Sequence, residues 1–254
     1  VPAVAQVTKQ AFTYVFNRET GEPLWPIEER PVPASKIPGE KLAETQPFPT
    51  KPAPYDMQGL TEDDLIAYTP ELRQQAIEIL EEWDTGPLFQ PPLHRDNDEG
   101  LRGALWCPGD VGGVNISGPA AGDPETGILY VTSLTGCTTR TIVPGEEADK
   151  RYMNEDGTTN TTGVTVADYA VGVGGGGPRG PQGLPLFKPP YSRITAIDLN
   201  TGEQKWKWDG DGPAYASPAL IARRLPGLII AIRICCGWWC ATSSRAATYR
   251  ALGP

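Results

Sequence analysis

Ala196-Ile-Asp-Leu-Asn-Thr-Gly-Glu-Gln-Lys-Trp206 is written a second time, in variant form, as Val15-Phe-Asn-Arg-Glu-Thr-Gly-Glu-Pro-Leu-Trp25. Both stretches read as strand, tight turn, strand. The apolar lead-in (Ile194 and Ala196; Tyr14 and Phe16) alternates as a half-buried strand does, and Asn-Thr-Gly or Glu-Thr-Gly supplies a turn with a positive-φ position. In each copy the tryptophan follows four residues after the glycine. A third copy, Asp123-Pro-Glu-Thr-Gly-Ile-Leu-Tyr-Val131, keeps the turn but enters its strand without the tryptophan.

Such self-similarity marks a repeat architecture. In a radial array of small sheets no unit buries its faces alone, so a large flat side chain at a fixed point can wedge between neighbours and staple them. An ordinary hairpin with a core tryptophan would explain one copy. Two copies and a degenerate third predict an all-β body built as a partial β-propeller of several blades.

Composition agrees with strands joined by long loops. The 254 residues include 29 Gly and 27 Pro, well above the usual joint share of about 12%. The chain is long enough for one large domain with a sizeable core. Its net charge is −9, without a basic run in the body, which gives nucleic-acid binding little support. No signal segment or apolar stretch of membrane-spanning length is legible. The chain begins at Val1 inside what reads as a strand, and it is expected to be a piece of something longer.

Residues 1–25 read as a hairpin. Residues 26 to about 60 are proline-rich and predict an extended surface excursion rather than a strand pair. A helical insertion is expected at about 61–85. There Thr61 with Asp64 resembles a capping box, Thr69-Pro70 offers a second start, and Leu72, Ala76, Ile79, Leu80 and Trp83 share one face as core packing. Strand signals resume at Leu105, run from Gly127 to Thr132 and return at Arg193 to Trp208. Residues 136–190 between them read as loop.

Three local patterns invite a functional reading and fail it. Gly172-Val-Gly174-Gly-Gly-Gly177 satisfies a dinucleotide fingerprint letter by letter, but it runs into Pro-Arg-Gly-Pro-Gln-Gly, where no helix can start. Asp96, Asp98 and Glu99 lack the glycine and terminal glutamate of a calcium loop. His94 is the lone histidine; it sits beside two prolines and reads as surface, and no zinc spacing is present. Cys107 and Cys137 lie near their own strands and could pair if their Cα atoms approach within about 7 Å.

More specific blocks carry a family resemblance. Thr8-Lys9-Gln10 followed by Tyr14 to Pro33, Thr45-Gln-Pro-Phe-Pro-Thr-Lys-Pro52, and Gly183-Leu-Pro-Leu-Phe-Lys-Pro-Pro-Tyr191 resemble quinoprotein dehydrogenases that use pyrroloquinoline quinone (PQQ). The likeness is to the membrane-type glucose, quinate and polyol subgroup. The spacing Ala196, Asp198, Gly202, Trp206 matches their tryptophan-docking pattern, and the similarity runs from residue 1 to about 215. It implies part of an eight-bladed propeller with a Pro-rich and helical insertion, and a PQQ-dependent oxidoreductase acting on a sugar or polyol. Electrons would pass to a ubiquinone or a cytochrome, in a periplasmic protein that is membrane-anchored in its full-length form.

The resemblance also implies residue roles. Lys9 would lie against the quinone's reactive carbonyls as the catalytic and cofactor-binding cation, and Asn115, in Pro108-Gly-Asp-Val-Gly-Gly-Val-Asn115, would orient the cofactor. Ile116 stands where the family usually has tryptophan. The family's catalytic aspartate and its calcium or magnesium ligands lie upstream, in blades that this sequence does not contain, so the piece alone is expected to be inactive. Residues 221–254 hold five arginines, no lysine and no acid. Such a tail resembles a shifted reading frame more than a propeller strand, the other reading being a genuine apolar terminal element. The rival functional readings are a non-catalytic propeller with PQQ-like repeats serving as a protein-binding scaffold, and an unrelated β-repeat interaction module.

Overall fold

In a computed structural model of the protein, residues 1–109, 120–145, 168–171 and 176–210 are described, with the backbone of 218–220, 228–231 and 249–250. Strands β1 (Ala3–Val7) and β2 (Thr13–Asn17) form an antiparallel hairpin in the register Ala3 to Asn17. Within β2 the buried residues are Thr13 and Val15. Tyr14 and Phe16 stack on the other face with ring centroids 6.4 Å apart, so the aromatic set does not enter the core as the alternation suggested.

The proline-rich stretch departs from expectation. β3 (Ile27–Pro31) and β4 (Thr45–Pro49) are an antiparallel pair. Pro31, Pro47 and Pro49 all fall on one alternate set of partners: 31 with 45, 29 with 47 and 27 with 49. The flanking bonds, Val32 N–H to Glu44 O at 3.1 Å and Thr50 N–H to Pro26 O at 2.9 Å, belong to the other set. The ladder therefore never calls on the N–H groups that proline lacks.

Within the stretch 61–85 the structure holds one 3-10 turn and one α-helix of 11 residues. Thr61 makes a capping box with Asp64 over a single 3-10 turn, Glu62–Asp64. Thr69 accepts from Leu72 N–H at 3.2 Å to open α1 (Pro70–Leu80). Ala76 and Leu80 are buried in a cluster with Leu60, Leu65, Ile66, Leu105 and Leu186, and Ile79 and Trp83 pack on its edge.

Next come β5 (Asp84–Thr85), β6 (Leu93–His94), β7 (Ala104–Trp106), β8 (Ala120–Asp123) and β9 (Ile128–Leu134). Residues 136–190 are not all loop: β10 (Thr138–Pro144) and β11 (Tyr169–Val171) lie there. Thr138, Ile142 and Val143 are buried, and this β-branched run is stabilised by its place between neighbours. β10 pairs with β7, β11 and β6, and β5 extends the same sheet through β7.

β12 (Ser192–Asp198) and β13 (Glu203–Gly210) complete a four-stranded antiparallel blade in the order β13, β12, β9, β8. β12 is buried along most of its length because strands flank it on both sides. The third sequence copy is the β8–β9 turn of this blade, beside the β12–β13 turn: Leu199 N–H donates to Gly127 O at 2.9 Å and Asn200 Nδ2 to Thr126 O at 3.1 Å. It is the partner hairpin of one blade, not the equivalent position of another. The last described strands, β14 (Pro218–Leu220), β15 (Leu228–Ala231) and β16 (Tyr249–Arg250), form a three-stranded sheet. Most of the tail lies outside the described residues, as does most of the glycine run 172–177. Beyond that run the chain makes a three-residue 3-10 turn, Pro181–Gly183.

Candidate active site

Lys9 sits in the turn between β1 and β2. Thr8 N–H and Phe12 O close this turn at 2.9 Å, and Ala11 holds φ +64° within it. Three carbonyls of the turn are captured by the segment that precedes α1. Tyr55 Oη donates to Thr8 O at 2.6 Å, Tyr55 N–H to Ala11 O at 3.1 Å, and Gln58 Nε2 to Gln10 O at 2.6 Å. Tyr55 is fully buried, and burial pushes its phenol up from its ordinary value. The phenol is therefore a neutral donor at any ordinary pH.

The clamp is anchored in turn by the neighbouring blade. Asp56 Oδ1 accepts from Arg193 Nη1 at 2.5 Å and from Thr135 Oγ1 at 3.0 Å. Arg193 is on β12, and the Asp56 side chain is wholly excluded from solvent. A buried pair of this kind costs desolvation of both ions and favours the one arrangement that satisfies them. Asp56 Oδ2 has no partner among the described residues. Nothing in the sequence marks Tyr55, Asp56, Gln58 or Arg193, because their role arises from contacts between residues far apart in the chain.

The segment that leads toward Asn115 is fastened nearby. Gly59 N–H, next to Gln58, donates to Cys107 O at 2.7 Å. Cys107 and Cys137 have Cα atoms 4.5 Å apart and form a disulfide, meeting the distance condition set by geometry. Gly109 N–H donates to Gly136 O at 2.6 Å, and a Cβ on Gly109 would overlap Thr138 Oγ1; only glycine allows this approach. Asn115 itself lies outside the described residues. A cavity of about 330 Å³ is bordered both by Gln10, beside Lys9, and by Cys107 and Pro108. The Lys9 turn and the start of the Asn115 segment thus share one space. Elsewhere, Asp96 pairs with Arg95 and Glu99 with Lys36, and His94 stands edge-on to Tyr169 at 5.7 Å.

Comparison with known proteins gives one consistent result. A family profile described as "PQQ: Glucose/ethanol/alcohol dehydrogenase, beta-propeller domain" matches residues 1–226. The chain is 28% identical over 209 residues to a quinate/shikimate dehydrogenase (quinone) of Acinetobacter baylyi, covering 81% of this chain and 25% of that protein. It is 29% identical over 231 residues to the glycerol dehydrogenase large subunit of Gluconobacter oxydans, covering 82% and 28%. It is 28% identical over 218 residues to the quinoprotein glucose dehydrogenase of Escherichia coli, covering 82% and 25%. The chain therefore spans about a quarter of the length of the curated relatives it matches. Among the described residues, no helix is long and apolar enough to cross a membrane.

Proposed function

Because this chain belongs to the β-propeller family of PQQ-dependent glucose, ethanol and alcohol dehydrogenases, a family of oxidoreductases, we propose that it forms the cofactor-facing part of an enzyme that oxidises a sugar or polyol alcohol. The observation that supports this reading is the clamped turn of Lys9, whose carbonyls at Thr8, Gln10 and Ala11 are all engaged by residues 55–58. An ammonium on a backbone that cannot relax is preorganised to meet charge that develops during reaction.

The donor chemistry suits the cofactor: a partly buried cation on a rigid turn is what an anionic, carbonyl-bearing quinone takes. PQQ, held there by Lys9 and Asn115, would supply the two-electron acceptor for oxidation of the alcohol. Lys9 would hold its positive charge against the accepting carbonyl oxygen, and Asn115 would orient the ring by hydrogen bonding. Tyr55 and Gln58 keep the Lys9 turn from drifting. The base that takes the hydroxyl proton and the ligands for a calcium or magnesium ion would come from other blades of the full-length protein. Electrons would leave to a ubiquinone or a cytochrome, and the setting would be periplasmic, at or near the inner membrane.

The test is Lys9→Ala in the full-length protein, reconstituted with PQQ and a divalent cation. The expected result is a fall in turnover of about a hundredfold or more with the fold intact by circular dichroism. Unchanged turnover together with an unchanged PQQ titration would overturn the role.

A further inference from the structure

Resting on the reading that the Lys9 turn faces the quinone, we propose that residues 51–59 form a strap that carries the packing of the β12–β13 hairpin to that turn, and that Gln204 of β13 is a positioning residue for Lys9. The strap is gripped from both sides. On the hairpin side Gln204 Nε2 donates to Ala53 O at 2.8 Å and to Pro54 O at 3.1 Å. On the turn side Tyr55 Oη holds Thr8 O and Tyr55 N–H holds Ala11 O, while Asp56 takes Arg193 and Thr135 of the neighbouring blade. Each of Ala53, Pro54, Tyr55 and Asp56 carries at least one of these bonds. A shift at the hairpin end therefore meets no slack before it reaches the carbonyls of the Lys9 turn. The Lys51–Glu203 contact at 2.5 Å is exposed on both sides and adds little.

A β-bulge makes this grip possible. In the register of β12 and β13, Ala196 faces Trp206 but Ile197 faces Gln204, so Lys205 is the extra residue. Opposed residues of an antiparallel pair share a face, and one inserted residue moves what precedes it to the other face. In a regular ladder Gln204 would share the face of Trp206. With the bulge it lies on the face of Ile197, which packs with Val7, Ala11 and Tyr55. Arg193 alternates onto that same face of β12. One face of the hairpin thus offers the strap a carboxamide at one point and a guanidinium at another. In the first sequence copy the place of Gln204, two residues after the turn glycine, is held by Pro23, which has no side-chain donor. The grip belongs to this hairpin and not to the repeat.

The experiment uses the full-length enzyme loaded with PQQ and calcium, with whichever of glucose, glycerol and quinate it oxidises fastest as substrate. Gln204→Leu keeps the bulk of the side chain and removes its donor. It is expected to lower kcat by about three- to tenfold with KM unchanged. Gly21→Ala, which strains a turn outside the strap, should leave kcat as in the wild type. In a Lys9→Ala background Gln204→Leu should change the residual kcat and the PQQ affinity by less than about twofold, because its effect passes through Lys9. Reading the cycle in PQQ affinity as well keeps it measurable where the Lys9→Ala enzyme turns over too slowly to follow. Additive losses in the cycle, a Gln204→Leu enzyme with wild-type kcat, or an equal loss in Gly21→Ala would overturn the proposal. A Lys9→Ala enzyme with full turnover and full PQQ affinity would sink the underlying reading; one that loses turnover while Gln204→Leu does not would sink only the strap.

Discussion

Trp25 packs its indole against Gly202: a Cβ built on that glycine would lie 3.0 Å from Trp25 Cε2 and Cζ2. The tryptophan of one sequence copy is thus docked on the turn glycine of the other, which is the staple that the repeat predicts. Behind it the β1–β2 sheet packs on the four-stranded blade through Val7, Ala11, Tyr55, Leu129, Val131 and Ile197.

Gly202→Ala separates backbone strain from docking when compared with Gly21→Ala. Both glycines have positive φ, +74° and +78°, but nothing lies within 4 Å of a Cβ at Gly21. Gly21→Ala should cost about 1 kcal/mol of unfolding free energy through strain alone. Gly202→Ala should cost about 2–3 kcal/mol, because the ring must move as well. Urea unfolding monitored by tryptophan fluorescence measures both, and equal costs would deny the dock.

The Cys107–Cys137 disulfide closes a loop with a sequence separation of 30. Cys107→Ser with Cys137→Ser should lower stability by about 3–4 kcal/mol on the loop-entropy estimate. The cost should vanish when wild type and variant are compared under reducing conditions.

Arg193→Met leaves the Asp56 carboxylate buried without its cation, at an expected cost of about 3–5 kcal/mol. Adding Asp56→Leu should restore a large part of that loss, since it removes the stranded charge. A double-mutant cycle showing additive losses would contradict the coupling inferred from the 2.5 Å contact.

Tyr55 sets an alkaline limit. Burial holds its phenol protonated in the fold, whereas in the unfolded chain a tyrosine ionises near pH 10. The folded pKa is the higher one, so its contribution is complete below about pH 10 and is lost as pH rises, at about 1.4 kcal/mol per pH unit. Tyr55→Phe should flatten the stability profile between about pH 10 and 11.5 by one proton's worth of slope. At neutral pH it should cost about 1–3 kcal/mol by leaving Thr8 O without its donor. Stability measured against pH for both proteins tests the two effects together.

How much the sequence alone disclosed varies by element, for identifiable reasons. The helix start at Thr69-Pro70 and the capping box at Thr61 are local chemistry, and they form where the letters place them. The β3–β4 pair was not legible because eight prolines between residues 26 and 54 argue against a ladder; only pairing with a partner in the right register shows that each missing N–H is unneeded. β10 was no easier to read, because its β-branched run is short and flanked by glycine and proline, and its stability comes from the strands on either side of it.

The sequence by itself determined the repeat, its turn glycines, its tryptophans and, through the blocks around Lys9 and Asn115, the family. Those features are periodic or contiguous, and each copy carries its own turn chemistry. The tertiary structure decided that two of the three copies belong to one blade, that Trp25 docks on Gly202 while Trp206 stays 42% exposed against Tyr130, and that Tyr55, Gln58, Asp56 and Arg193 hold the Lys9 turn. These are contacts between residues far apart in the chain. Their energies depend on burial and hydrogen-bond geometry that exist only once the sheets have packed.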